Sequence, residues 1–240
     1  MTNRVALVTG ASRGIGERIA AYFAAEGYDL VLIARDGAKL SDVAEGLRHT
    51  HGVSVRWSAV DVCAFDAARA EVEGHIAAYG RLDVLVNSAG IFRFGTSAMT
   101  LDDFDALLAT NVKAVHNLCA ACRPALERSD RAHIFNISSI TGVEAFAPVG
   151  GYGASKFALV GYGLALTKEL LRSNIKVTTL CPDVVDTDMA AGSGLASEQM
   201  IAPDDMCRAI DFVLSLSPAA VLDQLVIKCR TMVERANVRG

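Results

Sequence analysis

Short, almost wholly apolar runs alternate along this chain with longer stretches in which apolar residues recur every three to four positions. Val5-Ala6-Leu7-Val8 and Val84-Leu85-Val86 are apolar throughout. That is the pattern of parallel strands covered on both faces, since a strand with one wet side would alternate. The pattern predicts strands over 4–9, 28–34, 53–60, 82–87, 131–138, 175–181 and 221–227, and helices over 14–26, 37–50, 66–79, 101–127, 151–172 and 203–216. Alternation of strand and helix implies right-handed βαβ units. The expected fold is α/β, a doubly wound (Rossmann), mostly parallel seven-stranded sheet with helices on both faces.

No composition shift or low-complexity stretch resembles a linker, so the chain reads as a single domain over 1–240. The one soft region, 188–202, holds Gly192, Ser193, Gly194 and Ser197. It joins the sixth strand to the last helix at the carboxyl edge of the sheet, where ligands bind in such folds, and is expected to be a mobile substrate loop.

Composition narrows the function classes. A net charge of -4 gives no reason to expect nucleic acid or an anionic membrane as partner. No segment is long and apolar enough for a membrane span, and the first apolar run enters a glycine turn where a secretory signal would continue; a cytoplasmic protein is expected. Cys119 and Cys122 have redox-motif spacing but lie inside a helical pattern, which reads as small apolar residues on a packed helix. His49 and His51 have no third ligand nearby and read as part of a solvated loop, so no metal is expected.

Candidate chemistry begins where the first strand ends, in Thr9-Gly10-Ala11-Ser12-Arg13-Gly14-Ile15-Gly16. Glycines there permit a tight turn and close approach of backbone to a pyrophosphate, and the helix start offers free N–H groups to the anion. Gly10, Ser12, Arg13, Gly14, Ile15 and Gly16 are therefore cofactor candidates. The second strand ends Ala34-Arg35-Asp36. An acidic residue at its tip would serve the 2'-hydroxyl of NAD. Here the tip is Ala34, and Arg35 with Arg13 suits a 2'-phosphate, so NADP(H) is the expected cofactor. Asp36 reads as the cap of the next helix.

Tyr152 and Lys156 stand four residues apart on a helix and share one face. A free phenol, pKa about 10, is a poor proton shuttle at neutral pH. A nearby ammonium, together with the positive charge of oxidised nicotinamide, is expected to lower that value and let Tyr152 exchange a proton with a carbonyl oxygen as hydride arrives at carbon. Ser139 ends a strand at the carboxyl edge, and Asn111 lies in an awkward place for Asn within a helical pattern.

Taken together, Thr9-Gly10-x-x-x-Gly14-x-Gly16, Asn87-Ser88-Ala89-Gly90, Asn111, Ser139 and Tyr152-x-x-x-Lys156 resemble the short-chain dehydrogenase/reductase family in order and spacing, from Val5 to about Thr187. The resemblance implies a catalytic set of Asn111, Ser139, Tyr152 and Lys156. It places the serine thirteen residues before the tyrosine, which selects Ser139 over Ser138. Ser139 would orient the reacting oxygen, and Asn111 would bind a water linking the lysine to solvent. Asp61 and Val62 look like the adenine pair. Asn87, Ala89 and Gly90 would line the cofactor, and Pro182, Val185 and Thr187 would hold the carboxamide of nicotinamide. Assembly as a homotetramer or homodimer through the helices at 101–127 and 151–172 is likewise implied.

The chain departs from the family pattern at Asp183, where glycine usually follows Pro182, and in its C-terminal stretch. These bear on the substrate, expected to be a small carbonyl compound or alcohol in a cleft of apolar residues including Phe92, Phe94, Phe146 and Met189. A 3-oxoacyl-carrier-protein reductase is the alternative. It would need a basic rim, for which Arg123, Arg128, Arg131 and Arg172 are candidates. A non-catalytic nucleotide sensor on the same fold would have no use for the four catalytic residues together.

Overall fold

The apolar runs all become strands of one sheet: β1 (Val5–Thr9), β2 (Asp29–Ala34), β3 (Val55–Ala59), β4 (Val84–Asn87), β5 (Ala132–Ile137), β6 (Ile175–Pro182) and β7 (Gln224–Ile227). The computed structural model describes residues 3–238. The strand order is β3-β2-β1-β4-β5-β6-β7, and each neighbouring pair is parallel. The chain first winds outward through β2 and β3, then crosses back so that β4 pairs the other side of β1, with Ala6 opposite Val84 and Val8 opposite Val86. That reversal opens a crevice at the carboxyl ends of β1 and β4, the place where this class of sheet binds ligands.

Helices α1 (Gly14–Ala25), α2 (Gly37–His51) and α7 (Pro203–Ser215) cover one face; α3 (Phe65–Tyr79), α5 (Ala114–Leu126) and α6 (Gly150–Leu170) cover the other. The first layer buries Ile19, Phe23, Leu40 and Ile210 against Val8, Leu32 and Val86. The second buries Val72, Ile76, Leu118, Cys122 and Leu159 against Leu7, Leu85 and Ile134. Burial on both faces is the physical reason the central strands carry no polar alternation.

Three boundaries differ from the expectation. The helix predicted over 101–127 is α4 (Leu101–Leu108) and α5, separated by a π turn over Ala109–Lys113. The last strand begins at Gln224, three residues later than expected; before it, the Leu222 carbonyl accepts from Thr178 Oγ1. The tail forms a short helix, α8 (Arg230–Val238), which is not among those predicted; Cys229 and Met232 pack beside Val185, Ile201 and Met206. His49 and His51 lie in the last turn of α2 and not in a loop. No group of three metal-ligating side chains occurs among the described residues, and the cysteines described are free.

The amino edge of the sheet is tied together by Asp83, whose side chain is fully buried. It accepts hydrogen bonds from Val5 N at 2.8 Å, Arg81 Nε at 2.9 Å, Arg81 Nη2 at 2.8 Å and Ser129 Oγ at 2.6 Å. Burial acts to raise the Asp83 pKa, but these bonds outweigh it and hold the carboxyl below its ordinary value. A depressed carboxylate stabilises the fold above its unfolded pKa and loses that contribution as pH falls. Asp83→Asn is therefore expected to cost about 3 kcal/mol in urea unfolding at pH 7. The gap from the parent protein should narrow as pH falls below about 4, the ordinary carboxyl value, and close once the native carboxylate too has gained its proton.

Candidate active site

The cradle at the carboxyl end of β1 is built by backbone meeting backbone. Gly10 has φ +67°, and a Cβ there would lie 2.9 Å from Ala89 Cα; one at Gly16 would lie 2.3 Å from Gly10 O. A larger residue would push the two walls of the crevice apart. Thr9 Oγ1 holds the walls in register, accepting from Ser88 N and Ala89 N, each at 3.0 Å. The start of α1 has no side-chain cap, a feature it shares with α3, α6 and α7, whereas α2 is capped by Asp36 and α4 by Thr100. Ser12 and Ile15 are half-buried within this loop. An uncapped helix start walled by glycines fits the pyrophosphate of a dinucleotide, which would supply the missing acceptor oxygens.

At the next strand, Asp36 accepts from Lys39 N at 3.1 Å, so it is occupied as a helix cap. Arg35 is exposed, makes no ion pair among the described residues, and lies near enough to Cys63 for its charge to act on that thiol. Arg13 points elsewhere: its guanidinium meets Asp188 at 3.3 Å. Asp61 accepts from Cys63 N at 2.9 Å and shapes the turn after β3, while Val62 is buried against α3 and α5. Asn87 is also turned inward; its Nδ2 donates to Asn136 Oδ1 at 2.9 Å, leaving Ala89 and Gly90 as the open part of that wall.

Tyr152, Lys156, Ser139, Gly90 and Asn111 converge where β4, β5 and α6 meet. The Tyr152 side chain is buried beneath Phe92, ring centroids 5.0 Å apart edge to face. Lys156 Nζ stands 5.6 Å from the Tyr152 ring centroid and donates to Ile137 O at 2.9 Å. A Cβ at Gly90 would sit 3.7 Å from that Nζ and 3.3 Å from Asn111 Oδ1. The two serines differ in kind. Ser138 is buried and donates to Lys156 O at 3.2 Å, anchoring the helix; Ser139 is half-buried, accepts from Thr141 N at 3.2 Å and lies close enough to the Tyr152 phenol for its hydroxyl to act against the rise in that group's pKa.

Electrostatically the pair differs from the expectation. Burial pushes Tyr152 up to about 12, the Ser139 hydroxyl pulling the other way. Burial pulls Lys156 down to about 8, opposed only by Cys181. The phenol is not made more acidic here, because the ammonium is directed to the Ile137 carbonyl, its one hydrogen-bond acceptor among the described residues.

Asn111 explains the π turn. Its Oδ1 accepts from Ile91 N at 2.9 Å, and its Nδ2 donates to Ile91 O at 3.0 Å and to Ser155 Oγ at 3.0 Å. The extra residue in the turn aims this amide inward, a recurrent use of such bulges. Both amide hydrogens are taken by protein groups, so the side chain acts as a clamp between the β4 loop and α6. Ser155, which donates to Tyr152 O at 2.7 Å, completes the clamp and is a residue sequence reasoning missed. Its only signal was its place beside Lys156.

Pro182 and Val185 are buried at the end of β6, and Thr187 lies against the glycine loop, its Cγ2 3.3 Å from a Cβ built at Gly14. Asp183 accepts from Cys229 N at 3.3 Å, joining the ends of β6 and β7; burial raises its pKa. The four arginines considered as a docking rim sit elsewhere. Arg123 closes α5 and binds Glu127 and Glu169; Arg128 and Arg131 precede β5; Arg172 precedes β6. In a parallel sheet those positions are at the amino edge, opposite the site.

Residues 4–197 match the family model described as short chain dehydrogenase. A 3-oxoacyl-[acyl-carrier-protein] reductase of Chlamydia trachomatis is 30% identical over 94% of this chain and 96% of its own. An alcohol dehydrogenase of the archaeon Thermococcus sibiricus, complexed with 5-hydroxy-NADP, superposes with TM-score 0.87 at 27% identity, over 95% of this chain and 97% of that one. A metagenomic short-chain oxidoreductase in complex with NADP gives TM-score 0.81 at 34% identity, over 94% and 96%.

A buried ammonium whose pKa is lowered costs stability below its folded pKa, and that cost shrinks as pH rises toward the unfolded value near 10.4. Lys156→Met is therefore expected to be more thermostable than the parent at pH 7, by up to about 3 kcal/mol. Scanning calorimetry at pH 7 and pH 10 should find a smaller advantage at the higher pH.

Proposed function

Because this chain belongs to the short-chain dehydrogenase family, we propose that it is an NADPH-dependent reductase of small carbonyl compounds, or the corresponding alcohol dehydrogenase, with Tyr152 as acid and base. The observation that carries this reading is the convergence of Tyr152, Ser139 and Lys156 beside Gly90, within the crevice whose other end is the uncapped start of α1. Nicotinamide, when bound, supplies or takes the hydride. Ser139 and Tyr152 hold the substrate oxygen through their hydroxyls, and the phenol passes its proton to that oxygen during reduction. A phenol near 12 keeps its proton at neutral pH, the form reduction requires. In this reading Lys156, its ammonium 5.6 Å from the ring centroid at rest, turns from Ile137 O toward the phenolate left behind to stabilise it. Asn111 and Ser155 fix the helix that carries both residues.

Preference for NADP(H) rests on Arg35 and Arg13, with Asp36 already committed as a cap. The NADP-type ligands of two similar structures support it. Phe92 over the phenol and the exposed Phe94, Phe146 and Met189 at the mouth favour an apolar ketone or aldehyde. The acyl-carrier alternative has the Chlamydia relative in its favour. Against it, the arginines suited to an acidic carrier lie on the far edge. The protein is read as a homodimer or homotetramer joined through α5 and α6.

Ketones, aldehydes and an acyl-carrier thioester should be assayed with NADPH and NADH side by side. Free carbonyl substrates with NADPH are expected to be turned over fastest; a tenfold preference for NADH would refute the arginine reading. Tyr152→Phe should lower kcat by about 10²- to 10⁴-fold while NADPH still binds. Reductive kcat/KM, which reports groups of the free enzyme, should fall as pH rises through about 8, where Lys156 loses its proton.

A further inference from the structure

The loop after β6 leaves the body and returns to it at one place. Val185 pairs with Ile201 in an isolated parallel bridge; Ile201 N donates to Val184 O and Asp186 N to Ile201 O, both at 2.9 Å. Beyond this base the two limbs are held differently. Gln199 O in the far limb accepts from Cys229 Sγ and Thr231 Oγ1, each at 3.1 Å. The near limb is held by Thr187 against Gly14 and by the Arg13–Asp188 ion pair at 3.3 Å. Past that pair Met189 is 53% exposed, and nothing lies within 4 Å of a Cβ built at Gly192 or Gly194.

Arg13 therefore faces two claims. It is the glycine-loop arginine assigned to the 2'-phosphate, and it is the partner of the residue that opens the substrate loop. We propose that Asp188 is a cofactor-specificity residue: it competes with the 2'-phosphate of NADP(H) for Arg13, so that NADP(H), and not NAD(H), releases the near limb of the substrate loop. This rests on the reading of Arg13 given above. The exchange is physically easy. Both side chains of the pair are well exposed, 62% and 74%, and such pairs are weak. A phosphate carries more charge than a carboxylate, and it can accept two guanidinium N–H groups where Asp188 engages only Nη1. Whatever the pair contributes is subtracted from NADP(H) affinity, and by linkage the bound phosphate loosens the loop to the same degree.

The test compares the parent with Asp188→Asn and Arg13→Ala, measuring Kd for NADPH and NADH by calorimetry and amide hydrogen exchange over residues 188–195 with NADP⁺ or NAD⁺. Asp188→Asn is expected to tighten NADPH by roughly two- to fivefold and to leave NADH unchanged. Exchange in the parent should be faster with NADP⁺ than with NAD⁺, and Asp188→Asn should abolish that difference. Weaker NADPH binding in Asp188→Asn, an equal shift for NADH, or identical exchange with both cofactors would overturn the proposal. Arg13→Ala separates the two readings. If it binds NADPH as tightly as the parent, the assignment of Arg13 fails. If it loses NADPH selectively while Asp188→Asn changes nothing, that assignment stands and the competition is refuted.

Discussion

The site depends on keeping one ammonium, Lys156, out of water with a single carbonyl to hold it. Ile137 O accepts from it at 2.9 Å. Much of what surrounds it serves that placement. Ser138 binds the lysine's own backbone carbonyl, Gly90 has no side chain to crowd the amine, and Asn111 fixes the β4 loop to the helix one residue before it. The protein accepts an electrostatic cost here because a charge in low dielectric acts far more strongly on its neighbour than one in water. Sites of function are where such costs concentrate.

The same economy of donors runs through the nucleotide end. Of helices α1 to α7, side chains cap only the starts of α2 and α4, through Asp36 and Thr100. The start of α1 has no such cap, and there the glycines also clear the approach. Arg35 is left without an ion pair among the described residues, while Arg13 is held only by an exposed one. Preorganisation at this end thus consists of groups left unspent rather than of contacts made.

Much of this was legible in the chain. Continuous apolar runs announced parallel strands because burial on both faces favours apolar residues at successive positions. Tyr152 and Lys156 were legible because helical spacing alone puts them on one face. Asp36 as a cap was legible from its place before a helix. What sequence could not give was direction. The pattern over 101–127 is helical throughout, and the π turn that aims Asn111 inward follows from its bonds to Ile91 and Ser155, which are distant in sequence. The ammonium's choice of Ile137 O over the phenol, and Arg13's turn toward Asp188, are likewise decided by what the fold brings alongside. Asp83 looked like an ordinary strand residue, because its four donors come from three separate segments.

The strand order also has a consequence for how the chain comes off the ribosome. β1, β2 and β3 are made first and can pair with one another at once, but the other side of β1, at Ala6–Val8, must wait for Val84–Val86. Until then the nascent half-sheet presents an unpaired apolar edge, the surface that chaperones bind and that self-association exploits. The glycine turn that receives the nucleotide therefore takes shape early and half-walled, and its second wall arrives only with the strand that closes the edge.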